Sequence, residues 1–209
     1  HAARERIAAI AADLTDADAI KRVVARCVER FGRVDILVNN AGSARAGDFL
    51  ALTDDAWMTD WMLKFFGYVR MAREVLPHMR RQRSGVIINV IGAAALGPRA
   101  SYMIGGAANA ALNHFTKALA DEAAPDVRVV GINPGPILTE RLLKIRGGIA
   151  PATAGQPDEA AFRKMTPLER VGRPEEVADL VLFLASERAA FIHGANITID
   201  GGSTKGLMG

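Results

Sequence analysis

The chain has 209 residues, half of them apolar and 23% charged, a balance that suits one globular domain large enough for a sizeable core. With 20 Gly and 9 Pro it is neither collagen-like nor low-complexity, and no apolar run approaches the ~20 residues that a membrane-spanning helix needs. The formal charge of +3 is small and only 6% of residues are aromatic, so the Arg80, Arg81, Arg83 cluster has no stacking motif beside it and nucleic acid is excluded as a partner.

The first residues, HAARERIAAIAADL, lack the ordered regions of a secretory signal. Cys27 is the one cysteine and cannot form an internal disulfide, so a reducing, cytoplasmic setting is expected. Residues 8–14 (AAIAADL) read as a buried strand ending in an acidic turn. Thr15 or Asp16 can cap the next helix. Its apolar residues Ile20, Val23, Val24, Cys27, Val28 and Phe31 recur at helical spacing, and Gly32 stops it. Residues 34–38 (VDILV) predict a strand followed by the polar turn NNAG. A long helical region follows over about 54–82, with Gly67 and Pro77 inside it. Residues 86–91 predict a strand, 106–123 a helix, and 127–133 a strand that stops at Pro134-Gly135-Pro136. The stretch 145–157 is rich in Gly, Ala and Pro and reads as a loop or lid. Pro174 opens a helix at an allowed position, and 195–199 is the last strand. Strands alternating with helices imply a parallel sheet covered on both faces, an α/β domain spanning 1–209. Ligands bind such sheets at the carboxyl ends of the strands, where NNAG, Ile91-Gly92 and Pro134-Gly135 all fall.

Four stretches resemble the short-chain dehydrogenase/reductase family: Asp13-Leu14, Asn39-Asn40-Ala41-Gly42, Asn133-Pro134-Gly135-Pro136 with Thr139, and RVGRPEEVADLVLFLASE leading to ITIDGG. Their order covers essentially the whole chain, and the nearest general likeness is to the 3-oxoacyl-carrier-protein reductase type. The resemblance implies a Rossmann-type, doubly wound parallel sheet and a cofactor that is NAD or NADP. It implies cofactor contacts from Asp13, Leu14, Asn40, Ala41, Gly42, Pro134, Gly135, Ile137 and Thr139. Asp13 would bond the adenine amine, the small NNAG residues would let the backbone approach the ribose, and Pro134-Gly135 with Thr139 would hold the nicotinamide carboxamide. The plainer alternatives are a helix-capping Asp13 and an Asn39 that serves the turn alone.

Two departures qualify it. No glycine-rich GxxxGxG turn occurs in this sequence. The chain starts just before what would be the family's third strand, so the sheet is expected to be incomplete at the N-terminus, with unpaired edges, and the chain to be a fragment or to need an oligomer. In addition, the family's Asn, Ser and Tyr-x-x-x-Lys are altered. Alignment of NAALNHFTKALA puts Asn109 at the lysine, Gly105 at the tyrosine and Gly92 at the serine. Lys64, seven residues after Trp57, stands at the asparagine. Tyr102 lies three residues early.

Two readings stay open. In one, the Gly105-Gly106 pair lets the chain bulge so that Tyr102 reaches a carbonyl as the proton donor, and Lys64 supplies the positive charge that Asn109 cannot. In the other, Tyr102 is a surface aromatic and Lys64 a solvated lysine, and the protein is a catalytically impaired member that binds ligands or forms oligomers. His1, His78, His114 and His193 show no metal spacing. Trp57, Trp61, Phe65 and Phe66 fit a helix-packing seam, and the resemblance implies a homotetramer or homodimer built on the long helices. A small carbonyl or alcohol substrate is expected, with Met103 and residues 138–149 around it and an apolar or acyl character.

Overall fold

A computed structural model describes residues 6–140, 142 and 162–205. Helix α1 is Ala17–Phe31, strand β1 Ile36–Asn39, helix α2 Asp54–Trp61, helix α3 Gly67–Gln82 and strand β2 Gly85–Val90. Helix α4 is Met103–Ala123, strand β3 Val127–Pro134, helix α5 Pro174–Ala185 and strand β4 Asn196–Ile199. The described strands form one parallel sheet in the order β1-β2-β3-β4, with Val38 opposite Ile88, Ile88 opposite Val130, and Ile132 opposite Ile197. Parallel neighbours need helical crossovers, and that is what the chain supplies.

The two faces are covered unequally. On one, Val24 of α1, Ala72, Val75 and Met79 of α3, and Ala120 and Ala123 of α4 pack on Leu37, Ile87, Val127 and Val129. Each fully buried aliphatic side chain here contributes about 1.5–3 kcal/mol by leaving water. Cys27 and Val28 rest against this cluster, as the helical spacing predicts. On the other face Leu184 of α5 and Ala189 pack on Ile88, Val130 and Ile132. That cover stops short of β1, where Ile36 and Val38 are 47% and 40% exposed.

The segment 8–14 is a correction to the sequence reading. It forms no strand, and Ile7 and Ile10 are 72% and 43% exposed. A strand exists through its ladder, and this segment pairs with none of the described strands, although β1 keeps one edge unpaired. Asp16, not Thr15, is the side-chain cap of α1, and Gly32 closes that helix in the left-handed region at φ 79°. The region 54–82 is helical throughout but changes winding: residues Met62–Phe66 form a π turn between α2 and α3. Helix α4 begins at Met103, three residues earlier than the expected 106. The expected loop at 145–157 lies outside the described residues.

Buried polar side chains tie the sheet to α4. Asn39 Nδ2 donates to Asn89 Oδ1 at 2.9 Å, and Asn89 Nδ2 donates to Thr116 Oγ1 at 2.9 Å. Asn39 therefore ties the sheet together and does not serve the turn alone. His193 is structural as well: Val129 N donates to its Nδ1 at 3.2 Å, and Nε2 lies 3.0 Å from Ala120 O.

Candidate active site

The carboxyl ends of β2 and β3 open into a cavity of about 460 Å³. One wall is made by the chain leaving β3: Pro134, Gly135, Pro136, Ile137 and Thr139. This wall is pinned by main-chain bonds, Gly135 N to Ile199 O at 3.0 Å, Leu138 N to Gly172 O at 2.8 Å and Gly172 N to Pro136 O at 2.9 Å. A Cβ on Gly135 would come within 2.5 Å of Asp200 Cβ, so glycine is what lets this strand end lie against the Asp200 turn. Burial works to raise the Asp200 carboxyl, but bonds from Thr204, Gly202 and Ser203 outweigh it and hold its pKa below the ordinary carboxylate range. The Thr139 hydroxyl lies 3.4 Å from Ile137 O and accepts from Leu142 N at 3.3 Å.

The rest of the lining includes Lys64, Tyr102 and Asn109, the three residues expected from the sequence to carry the chemistry. Lys64 sits at the centre of the π turn, a winding often found where a helix must present a side chain inward. It is 8% exposed, and its Nζ donates to Ile91 O at 3.0 Å and Val90 O at 3.4 Å. The solvated-lysine alternative is thereby overturned. The Tyr68 hydroxyl donates to the same Val90 O at 2.8 Å, and burial pushes its pKa well above the ordinary phenol value. The Lys64 ammonium lies 5.2 Å from the Tyr68 ring centre.

Asn109, on α4, is 3% exposed. Its Nδ2 lies 3.4 Å from Gly92 O, while its Oδ1 is buried without a hydrogen-bond partner. Tyr102 precedes α4 and lines the cavity. The expected bulge at Gly105-Gly106 is not there, because both glycines lie inside the first turns of the helix. What brings Tyr102 inward is the missing side chain at 105: its ring and hydroxyl lie where a Cβ on Gly105 would stand.

The same relation recurs. A Cβ on Gly92 (φ +137°) would meet Asn109 Nδ2 at 2.8 Å, and one on Gly42 would meet Lys64 Cδ at 2.6 Å. Each replacement side chain thus occupies space that a glycine leaves open.

The cavity gathers Lys64, Tyr102, Asn109, Pro134, Gly135, Ile137 and Thr139. It does not gather Asp13, Leu14, Asn40, Ala41 or Gly42, although Gly42 touches Lys64 from behind. Asp13 is exposed, and its carboxylate accepts from Thr15 N and Thr15 Oγ1 at 2.8 Å each, which lowers its pKa. Leu14 rests near Gly67 at the start of α3. Met103 does not line the cavity, whereas Ala46, Ala93, Ala94, Arg99, Ser101 and Met165, all unforeseen, do. The motif GPRASY before α4 is the signal that could have found Arg99 and Ser101, because it leads directly into Tyr102. Among the described residues no group of His, Cys, Asp and Glu could hold a metal ion, and no helix is long and apolar enough to cross a membrane.

The geometry has close counterparts among known proteins. A family model described as enoyl-(acyl carrier protein) reductase matches residues 1–204. The 3-oxoacyl-[acyl-carrier-protein] reductase FabG of Thermotoga maritima is 34% identical over 193 residues, covering 91% of this chain and 74% of that one. The crystal structure of L-sorbose reductase from Gluconobacter frateurii, complexed with NADPH and L-sorbose, superposes with a TM-score of 0.88 at 34% identity, over 95% of this chain and 77% of that one. A 7α-hydroxysteroid dehydrogenase complexed with NADH and 7-oxoglycochenodeoxycholic acid gives a TM-score of 0.83 at 28% identity, over 94% and 74%.

Proposed function

The chain belongs to the short-chain dehydrogenase/reductase family, and from that premise we propose that its cavity carries out hydride transfer with a rearranged set of side chains. The protein is an NAD(P)-dependent oxidoreductase acting on a carbonyl or secondary alcohol. The observation that carries the assignment of residues is the convergence of Tyr102, Lys64 and Asn109 on one wall of a cavity whose other wall is the Pro134–Thr139 backbone.

The residues present fit a nicotinamide dinucleotide. Asn109 lines the cavity and would border the ribose, and its buried Oδ1 lacks a hydrogen-bond donor. Pro134, Gly135, Ile137 and Thr139 would hold the carboxamide, Asn40, Ala41 and Gly42 would border the ribose, and Asp13 and Leu14 would lie towards the adenine. When bound, NAD or NADP supplies or accepts the hydride.

Tyr102 Oη gives a proton to the carbonyl oxygen in reduction and takes it back in oxidation. A phenol is a weak base at neutral pH unless a cation stands near it. Lys64, held in place by the Ile91 and Val90 carbonyls, supplies positive charge to the same cavity. The two roles that the family gives to one lysine, charge and ribose binding, are divided here between Lys64 and Asn109.

The assembly is a homodimer or homotetramer. Phe49, Leu50, Met58 and Phe66 are 58%, 91%, 60% and 36% exposed, and the nearby Trp61 Nε1 is buried without a partner. Trp61, Phe65 and Phe115 stack in one seam, with ring centres 5.6 and 6.3 Å apart, and that seam continues inward from the exposed strip. The single Cys27 suits a cytoplasmic, reducing setting.

The test is a fluorescence titration with NADH and with NADPH, followed by turnover on a panel of ketones. Saturable binding of one of them, with turnover that Tyr102→Phe abolishes while cofactor affinity is kept, is the expected result. A full-strength Tyr102→Phe enzyme would remove the assigned proton donor.

A further inference from the structure

The cavity carries a charge bias that hydride transfer does not require. Its described lining includes two cationic side chains, Lys64 and Arg99, and no carboxylate. Elsewhere the arginines are commonly paired: Arg22 with Asp16, Arg33 with Asp35, Arg45 with Asp60 and Arg170 with Glu176. Arg99 forms no ion pair among the described residues. It stands immediately before the short turn Ala100–Tyr102, so the chain that delivers the phenol also delivers the guanidinium. The lining beside it is small, Ala46, Gly92, Ala93 and Ala94, and the Ser101 side chain shares the same lining. An exposed guanidinium at the cavity lining, with no acidic partner among the described residues, matches an oxyanion, above all a carboxylate taken in a two-pronged hydrogen bond.

We propose that Arg99 binds a carboxylate on the substrate, so that the preferred substrates are oxo acids and the corresponding hydroxy acids. This rests on the reading of the cavity as the hydride-transfer site, and it replaces the apolar, acyl-like expectation with an anionic one. The reacting carbonyl would then lie between the carboxylate at Arg99 and the phenol of Tyr102. Arg99 is a specificity-determining residue and takes no part in proton or hydride movement.

The experiment uses butanoate and its uncharged isostere butanamide as probes, titrated by calorimetry against the full chain with and without saturating NADH or NADPH. Butanoate is expected to bind about tenfold more tightly than butanamide, with Arg99→Gln erasing that difference and leaving cofactor affinity unchanged. In turnover, acetoacetate is expected to exceed ethyl acetoacetate in kcat/KM by a similar factor, again only when Arg99 is present. Equal binding of the two probes, a preference that survives Arg99→Gln, or no binding of either overturns the proposal. A butanoate preference that vanishes once cofactor saturates the chain would mean that the oxyanion at Arg99 is a cofactor phosphate, and that also overturns it. Failure of the underlying reading is read separately: absence of saturable NADH and NADPH binding removes the hydride-transfer site, whatever the two probes do.

Discussion

The two walls of the cavity are built in different ways. The wall after β3 is a stretch of chain, Pro134 to Thr139, fixed by main-chain bonds from Gly135 N to Ile199 O and from Leu138 N to Gly172 O. The facing wall presents side chains, Lys64, Tyr102 and Asn109, each lodged where a glycine leaves room. That wall depends on the path of the chain, which needs Gly135 without a side chain against Asp200, and it carries the pattern Pro134-Gly135-Pro136 with Thr139. Side-chain recognition depends on residue identity, and there the signature has been rewritten. The lesson is that a family's chemistry can stay legible in one wall of a site while the other must be read from geometry.

The contrast can be broken most decisively at Tyr102. Tyr102→Phe is expected to lower kcat by about 10²–10⁴-fold, the usual worth of a positioned acid or base, with cofactor affinity retained in the same titration. Gly135→Ala attacks the backbone wall. Its new Cβ would sit 2.5 Å from Asp200 Cβ, and overpacking of this kind costs about 1–3 kcal/mol. Denaturant unfolding should register that loss, and cofactor affinity should fall with it.

Lys64→Met sharpens the comparison from the other side. It removes the cation and the donor to Ile91 O at about 1–3 kcal/mol, while Val90 O keeps the Tyr68 hydroxyl. Turnover should drop while cofactor binding persists, whereas loss of both together would mean that Lys64 serves the fold rather than the reaction.

The smallest effect lies outside the cavity, at the entry to α5. The Glu176 carboxylate accepts from both Arg170 nitrogens and from Arg173 N, and its pKa is held down to about 2 from an ordinary 4.5. The unfolded chain therefore takes up the proton first as pH falls. The stability this carboxylate contributes is complete above the unfolded value and is lost as pH drops from 4.5 towards 2. Because the pair is exposed, the effect is slight. Glu176→Gln should show a shallower loss of thermal stability across that window than the parent chain.

Much of the fold was legible in the sequence. The strands at β1, β2, β3 and β4 announced themselves as apolar runs, and Asp16, Gly32 and Pro174 marked helix ends by capping chemistry. The segment 8–14 was not legible, because an apolar run reports burial propensity and says nothing about whether a neighbouring strand offers an edge. In the site, the Pro134–Thr139 wall could be read from its motif. Tyr102 was named, but through the wrong device, since a glycine pair suggests a bend and here provides an empty position on a regular helix. Lys64 could be taken for a surface lysine because the π turn that rotates it inward has no sequence mark of its own. Arg99 was missed because a lone arginine in a loop gains meaning only when the cavity beside it is seen to lack an acid.

The overlap of the Tyr102 ring with the absent side chain of Gly105 also makes the two positions interdependent. A bulky residue at 105 and a phenol folded inward at 102 exclude one another. A side chain added at 105 would therefore have to turn the Tyr102 ring out of the space that it fills, so the two positions are coupled and the effect of changing one depends on the other.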